Sequence, residues 1–283
     1  MKNKISLQEK LKLLREQKKA LLATNFYNFE TLQGVLEAAQ AAETPIILQL
    51  TRSSLDYMGL PVAVRLATSM LRQYSVEGWI HLDHGDSYEL AAQCLDAGFE
   101  SVMIDASEQS FEKNVQLTRR VVRLAEEYDA NVEAELGYVA KLGQQTDVVA
   151  FTGPDDARRF VEETGVNALA VAIGSAHGFY KSEPKLDLER LTAIRAVTDA
   201  ALVLHGGSGI PHDTLREAIR RGICKINLAT EIKNIFMKTL KGRLAGEEEI
   251  DLRKVFPDAT HAVATLVQDK LEALGPDLTH NLK

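Results

Sequence analysis

Eight short apolar runs alternate with longer segments in which apolar residues recur every three or four positions. The runs are Ala20–Asn25, Pro45–Leu50, Gly78–Asp83, Phe99–Asp105, Asn131–Glu135, Ala168–Ile173, Ala201–His205 and Gly222–Asn227. Helical patterns lie between them, over Glu30–Glu43, Val62–Tyr74, Ser87–Ala97, Phe111–Tyr128, Asp155–Thr164, Leu188–Thr198 and Pro211–Arg221. Such alternation predicts a parallel sheet with helical crossovers. Eight units in about 200 residues or more suit a closed (β/α)8 barrel, whereas open doubly wound sheets usually have fewer strands. Ala97-Gly98, Thr164-Gly165 and Arg221-Gly222 place glycine ahead of a strand, where a helix C-cap belongs. Leu7, Leu11 and Leu14 share helical spacing and predict an N-terminal helix capping the bottom of the barrel. After Asn227 a helical tail, Glu231–Leu240 and Ala259–Leu274, is expected to pack on the barrel or on a neighbouring subunit. No linker or low-complexity stretch divides the chain, so residues 1–283 read as a single TIM-barrel domain of the α/β class.

Composition narrows the function more than the fold. With 45% hydrophobic and 26% charged residues the 283-residue chain is neither disordered nor fibrous. Its 33 Lys+Arg against 40 Asp+Glu give a net charge of −7, which argues against nucleic acid or an anionic membrane as partner. No apolar run approaches the ~20 residues a membrane helix needs. The two cysteines, Cys94 and Cys224, sit in apolar runs and read as reduced core thiols of a cytoplasmic protein. Lys2, Lys4, Lys10, Lys12, Lys18 and Lys19 could mimic a targeting presequence, but Glu9, Glu16 and the missing apolar core favour the capping helix.

Barrel enzymes place their chemistry at the C-terminal strand ends. Those ends carry Asn25, Thr51, Asp83-His84, Asp105, Glu135, His177, His205 and Asn227, polar residues after largely apolar strands. Three of the seven histidines fall there. Histidines converging from different strands, with carboxylates nearby, make a transition-metal site with positions left open for substrate. Zn²⁺ suits it first, with Co²⁺ or Mn²⁺ possible. Asp83 and His84 are neighbours and on a regular strand would point to opposite faces, so a turn permitted by Gly85 is expected. His81 is assigned to barrel packing or supporting hydrogen bonds, and His212, His261 and His280 to the surface. Gly206-Gly207-Ser208-Gly209 after strand seven, and Asn227-Leu228-Ala229-Thr230 opening a helix after strand eight, form the loops where such barrels hold phosphate.

These residues carry a resemblance. His81-Leu82-Asp83-His84-Gly85, Ser101-Val102-Met103-Ile104-Asp105, Val132-Glu133-Ala134-Glu135-Leu136-Gly137, Ala172-Ile173-Gly174-Ser175-Ala176-His177-Gly178, Leu202-Val203-Leu204-His205-Gly206-Gly207-Ser208-Gly209 and Lys225-Ile226-Asn227-Leu228-Ala229-Thr230 resemble the class II, zinc-dependent ketose-bisphosphate aldolases. Tagatose- and fructose-bisphosphate aldolases, and the related aldolase for a deoxy-keto-gluconate phosphate, are most similar. The resemblance implies a (β/α)8 barrel that reversibly cleaves a ketose (bis)phosphate, such as tagatose- or fructose-1,6-bisphosphate, to dihydroxyacetone phosphate and an aldehyde. It implies zinc on His84, His177 and His205, with Asp105 and Glu135 at a second or alternative metal position. Asp83 would be the acid/base at the C4 oxygen. Gly178, Gly206, Gly207, Ser208, Asn227, Leu228, Ala229 and Thr230 would hold dihydroxyacetone phosphate, with Asn25 near the substrate. Thr51 joins this binding set as a strand-end residue. Members also bind a monovalent cation near these loops and are usually dimers or tetramers, and some tagatose enzymes depend on a chaperone-like subunit.

The chain departs from the family in two loops. Tyr138–Thr146 offers no carboxylate for the proton at C3, leaving Asp147 as the nearest acid, and Glu108-Gln109 stands where relatives often carry histidine and an aromatic residue. A Schiff-base aldolase remains an alternative, since Lys225 shares parity with Asn227 and can point inward, as does a non-catalytic, chaperone-like subunit on the same fold.

Overall fold

The computed structural model describes residues 4–137, 139–141, 151–180, 184–246 and 248–275. In chain order its strands are β1 (Leu21–Asn25), β2 (Ile46–Thr51), β3 (Gly78–Gly85), β4 (Ser101–Ile104), β5 (Asn131–Leu136), the two-residue β6 (Ala140–Lys141), β7 (Ala168–Val171), the two-residue β8 (Ala176–His177), β9 (Ala201–Leu204) and β10 (Ile223–Leu228). The helices are α1 (Leu7–Gln17), α2 (Phe29–Ala41), α3 (Arg52–Met58), α4 (Leu60–Gln73), α5 (Tyr88–Asp96), α6 (Phe111–Glu126), α7 (Pro154–Thr164), α8 (Leu188–Val197), α9 (His212–Arg220), α10 (Thr230–Leu244) and α11 (Leu252–Leu274). Eight strands close into a parallel barrel in the order β1-β2-β3-β4-β5-β7-β9-β10, and β6 pairs with β8 outside it. The fold is the (β/α)8 barrel that the alternating pattern predicts.

Local chemistry explains the boundaries. Asn28, Ser87, Ser110, Asp187 and Asp251 each accept a hydrogen bond from a first-turn amide of the helix that follows, which satisfies a donor the helix itself cannot. Gly165 ends α7 in the left-handed conformation and releases the chain into β7. The strands are buried on both faces, and this is why they read as nearly continuous apolar runs rather than alternating ones. The short helix α3 escapes the periodicity because seven residues hold too few apolar positions to show a face.

The barrel floor is apolar. Leu7, Leu11 and Leu14 of α1 are 1–2% exposed and pack with Leu21, Ala23, Ile47, Trp79, Ala168, Ala170, Ala201 and Val203. Burying each of these leucines contributes about 1.5–3 kcal/mol. The alanines leave room for Trp79, whose indole N–H donates to the Ile5 carbonyl at 3.2 Å. The basic N-terminal segment therefore includes the expected capping helix. No described helix is long and apolar enough to cross a membrane.

The helical tail returns to the barrel. α11 packs along α2 and α10, and it approaches α2 most closely at Gly34, where an added Cβ would lie 2.5 Å from the Thr260 carbonyl oxygen and 2.9 Å from Val263 Cβ. Alanine favours a helix interior over glycine by about 1 kcal/mol. The backbone of Thr260 cannot yield without moving α11, so packing decides the sign. Gly34→Ala is expected to lower stability by about 1–3 kcal/mol in denaturant unfolding. A stabilised variant would mean that α11 shifts freely on α2.

Candidate active site

One irregularity in β3 builds the centre of the site. Leu82 pairs with Val102 of β4, but the next partners are Gly85 and Ile104, so three steps on β3 oppose two on β4. The extra residue is a β-bulge, and His84 carries it with φ of 50°. The bulge breaks the alternation that would send Asp83 and His84 to opposite faces, and both line the barrel mouth. The left-handed turn thus lies in His84 rather than in Gly85. Gly85 is needed for a different reason: a Cβ there would sit 2.5 Å from the Met103 carbonyl oxygen. Left-handed backbone in a residue other than Gly, Asn or Asp is uncommon and concentrates at functional sites.

Ligand atoms of His84, Glu135, His177 and His205 lie within 4.8 Å of one another. His84 presents Nδ1 to Asp105 Oδ2 at 2.7 Å, and His205 presents Nε2 to Glu133 Oε1 at 2.9 Å. Each outer nitrogen donates to a carboxylate, which leaves the inner nitrogens, His84 Nε2 and His205 Nδ1, facing each other at 3.1 Å. Two lone pairs at that distance repel unless a proton or a cation lies between them. Glu135 Oε2 is 3.5 Å from His205 Nδ1, and although buried it has no hydrogen-bond partner among the described residues. Burial and the neighbouring Asp105 charge, only partly offset by His84, push Glu135 up to about 8. Burial opposes charge on His84 as well, but Asp83, Asp105 and Glu135 outweigh it and raise the imidazole to about 9. Burial, then His84 and Lys225, holds His205 far below its ordinary value. Three imidazoles and a carboxylate with an unused oxygen fit a divalent transition metal.

The two carboxylates expected at a second metal position separate. Glu135 belongs to the cluster, whereas Asp105 is occupied by His84 and by the Ser107 backbone N–H and hydroxyl, at 3.1 and 2.7 Å. Asp105 orients His84.

Asp83 is cradled by three amides. Asn25 Nδ2 donates to Oδ2 at 2.9 Å, while Gln49 Nε2 and Asn227 Nδ2 donate to Oδ1 at 3.2 and 3.4 Å. Burial works against the carboxylate, but the charges of His84, His205 and Lys225 and the Asn25 hydrogen bond hold it below its ordinary value. Asp83 is therefore an anion aimed into the cleft by donors that do not exchange protons.

A polar layer lies beneath the histidines. Lys225 Nζ is 2.8 Å from Glu133 Oε2 and 3.4 Å from His81 Nε2, and His81 Nδ1 meets Ser101 Oγ at 2.7 Å. His81 thus takes the supporting role expected of it. Lys225 does point inward, but it is buried, ion-paired and absent from the cleft wall, so the Schiff-base alternative loses its nucleophile.

The cleft above measures about 640 Å³. Asn25, Thr51, Gly178, Gly206, Ser208, Asn227, Ala229 and Thr230 line it as expected. Gly207 and Leu228 do not: the Gly207 amide donates to the Asn227 carbonyl at 3.1 Å, and Leu228 faces the core. α10 opens at this wall behind Ala229, whose side chain cannot cap it; Ser208 Oγ instead accepts from the Glu231 amide at 3.4 Å, so the loop after β9 and the positive end of the α10 dipole meet at the cleft. Thr51 caps α3, accepting from the Ser54 amide at 3.4 Å. On the β2–β4 side the wall includes Ser53, Asp86, Ser107, Glu108 and Gln109. His212 pairs with Asp269 at the surface and His261 is exposed. His280, Tyr138 and the stretch with Asp147 lie outside the described residues.

Sequence reasoning missed Gln49, Glu133, Tyr27 and Lys233. Gln49 and Glu133 had a visible signal, a polar residue at inward parity inside an apolar strand, two positions before Thr51 and Glu135. Tyr27 and Lys233, which stack with Lys233 Nζ 5.4 Å from the ring centroid, lie beyond the strand ends and had none.

Known proteins carry the same pattern. Residues 5–277 match the family model described as fructose-bisphosphate aldolase class-II. A fructose-bisphosphate aldolase of Staphylococcus aureus is 39% identical over 279 residues, 96% of this chain and 97% of the relative. Among solved structures, the YdjI aldolase of Escherichia coli K12 superposes with a TM-score of 0.86 at 32% identity, covering 96% of this chain and 98% of that one. A solved structure from Coccidioides immitis gives a TM-score of 0.87 at 28% identity, with 98% of both chains covered. A barrel with three imidazoles and a free carboxylate at its mouth, matched over nearly its whole length, belongs to the class II fructose-bisphosphate aldolase family, and the protein is an aldolase, a carbon–carbon lyase.

Proposed function

We propose that this protein reversibly cleaves a ketose 1,6-bisphosphate of the tagatose or fructose type to dihydroxyacetone phosphate and an aldehyde, with zinc as its metal. The observation that carries the reading is the convergence of His84, His177, His205 and Glu135 beside the amide-cradled Asp83. Zinc held by the three histidines, with Glu135 as a further carboxylate, supplies Lewis-acid stabilisation of negative charge developing on the ketose oxygens. Co²⁺ or Mn²⁺ suits the same donors.

Asp83 accepts the proton of the C4 hydroxyl as the C3–C4 bond breaks, and it returns that proton in the condensation direction. Its lowered affinity for protons keeps it ready as a base at neutral pH, and the three amides keep it from turning away. Gly178, Gly206, Ser208, Asn227, Ala229 and Thr230 bind the phosphate of the dihydroxyacetone half, with the positive end of the α10 dipole behind them favouring the anion. Binding energy from that phosphate holds the reacting carbons against Asp83. A monovalent cation near these loops, a homodimeric or homotetrameric assembly and a cytoplasmic location complete the reading. The intact constellation of Asp83 and the histidines supports a catalytic chain over a chaperone-like subunit. Cleavage assays on tagatose- and fructose-1,6-bisphosphate and on deoxy-keto-gluconate phosphate, run with a zinc determination, test the substrate and the metal together. Full activity in metal-free protein would overturn the reading.

Asp83→Asn should keep zinc and fold while turnover falls by about 10²–10⁴-fold, the usual contribution of a positioned acid/base. Turnover within a few-fold of wild type would make Asp83 a structural acceptor.

Metal uptake should depend on pH in a stated direction. In the metal-free protein His84 near 9 and Glu135 near 8 are protonated at pH 7, and both must lose their protons to become ligands. Zinc binding at pH 7 is therefore expected to release at least one proton, and affinity should weaken as pH falls and recover up to about pH 9. Titration calorimetry in buffers of different ionisation enthalpy measures the release. Binding without it would remove His84 and Glu135 from the ligand set.

A further inference from the structure

The buried ion pair below the site enters the chemistry just derived only through the charge of Lys225, yet its hydrogen bonds tie it directly to one of the clustered histidines. Glu133, Lys225, His81 and His205 are all buried. Glu133 uses its two oxygens in opposite directions: Oε2 takes Lys225 Nζ at 2.8 Å, and Oε1 takes His205 Nε2 at 2.9 Å. His81 stands on the far side of the lysine, with Nε2 3.4 Å from Nζ, and is itself fixed through Ser101 to Asn131, whose Nδ2 donates to Ser101 Oγ at 2.9 Å. Because Lys225 donates to His81 Nε2, the neutral His81 ring carries its hydrogen on Nδ1 and donates it to Ser101. The chain Asn131–Ser101–His81–Lys225–Glu133–His205 thus runs across the barrel and ends on a nitrogen of the metal cluster.

We propose that Lys225 is a positioning residue for the metal centre, anchoring Glu133 so that it holds the hydrogen of His205 on Nε2 and leaves Nδ1 bare toward the metal. The inference rests on the proposed role of His205 as a metal ligand. A carboxylate held only by His205 would be free to rotate about its last bond. With Lys225 on Oε2, one rotation satisfies both partners. Imidazole bound to a metal needs this help, since its outer N–H fixes both ring orientation and the nitrogen that binds. A lysine acting through its charge alone would oppose a cation in the cluster above it, so its removal would not weaken metal binding in the folded protein.

The test uses the full chain with Lys225→Met, and with Lys225→Met/Glu133→Gln, which leaves no buried charge unpaired if the single variant is unstable. Zinc affinity, read by competition with a coloured chelator in variants folded by circular dichroism, is expected to fall about 10–100-fold. The visible spectrum of the Co²⁺-loaded protein should change with it. A folded variant that binds zinc within about threefold of wild type, with an unchanged Co²⁺ spectrum, overturns the proposal. Independently of any variant, ¹⁵N-histidine NMR on metal-free wild type should show His205 protonated on Nε2, and protonation on Nδ1 overturns it as well. His205→Ala separates the two readings: if it leaves zinc affinity unchanged, the assignment of His205 as a ligand fails, whereas weakened binding in His205→Ala beside normal binding in folded Lys225→Met refutes the role of Lys225 alone.

Discussion

Charge removed from water must be answered by charge or by hydrogen bonds, and this barrel takes at least six ionisable side chains out of water in its interior. Asp83, Glu133, Glu135, His81, His205 and Lys225 are all buried. An isolated buried carboxylate or ammonium would cost several kcal/mol and would shift its protonation to escape the penalty. The groups are therefore coupled: Lys225 answers Glu133, three amides and the nearby cations answer Asp83, and of these six side chains, among the described residues, Glu135 keeps a carboxylate oxygen without a hydrogen bond. That unanswered oxygen marks a place where a cation fits.

That coupling divides the barrel into layers with different tasks. At the floor, leucines of α1 and the alanines of β1, β7 and β9 exclude water. Above them comes the layer of His81, Ser101, Asn131, Glu133 and Lys225, joined by hydrogen bonds and buried. The mouth carries the histidines, the carboxylates and the loops after β9 and β10. Polarity rises along the barrel axis, and each layer stiffens the one over it.

The fold was legible because eight apolar runs separated by helical periods leave one closed arrangement, and caps such as Ser87 and Gly165 marked the boundaries. Much of the site was legible for a related reason: a polar residue at the end of an apolar strand has no packing role to explain it. The same rule read the mouth and overlooked the layer beneath, where Gln49 and Glu133 obey inward parity two residues earlier. Gly207 and Leu228 were read as binding residues from their loops, but whether a loop amide is free depends on its backbone partner, here the Asn227 carbonyl, and sequence does not display that. The turn beside Asp83 was foreseen and assigned to Gly85. Glycine tolerates positive φ most readily, but here the chain spends the glycine on clearance from Met103 and bends at His84 instead.

Placing Asp83 and His84 on one bulge has a mechanical consequence. Their Cα atoms are joined by a single peptide unit, which fixes their separation at about 3.8 Å. The spacing between the amide-cradled carboxylate and the imidazole beside it is thus set at the backbone by covalent geometry. Breathing of the barrel, which alters distances between strands, displaces the two together. Losing one residue from β3 would restore a regular ladder and turn one of the pair outward, so the carboxylate and the imidazole share the barrel mouth only as long as the bulge persists.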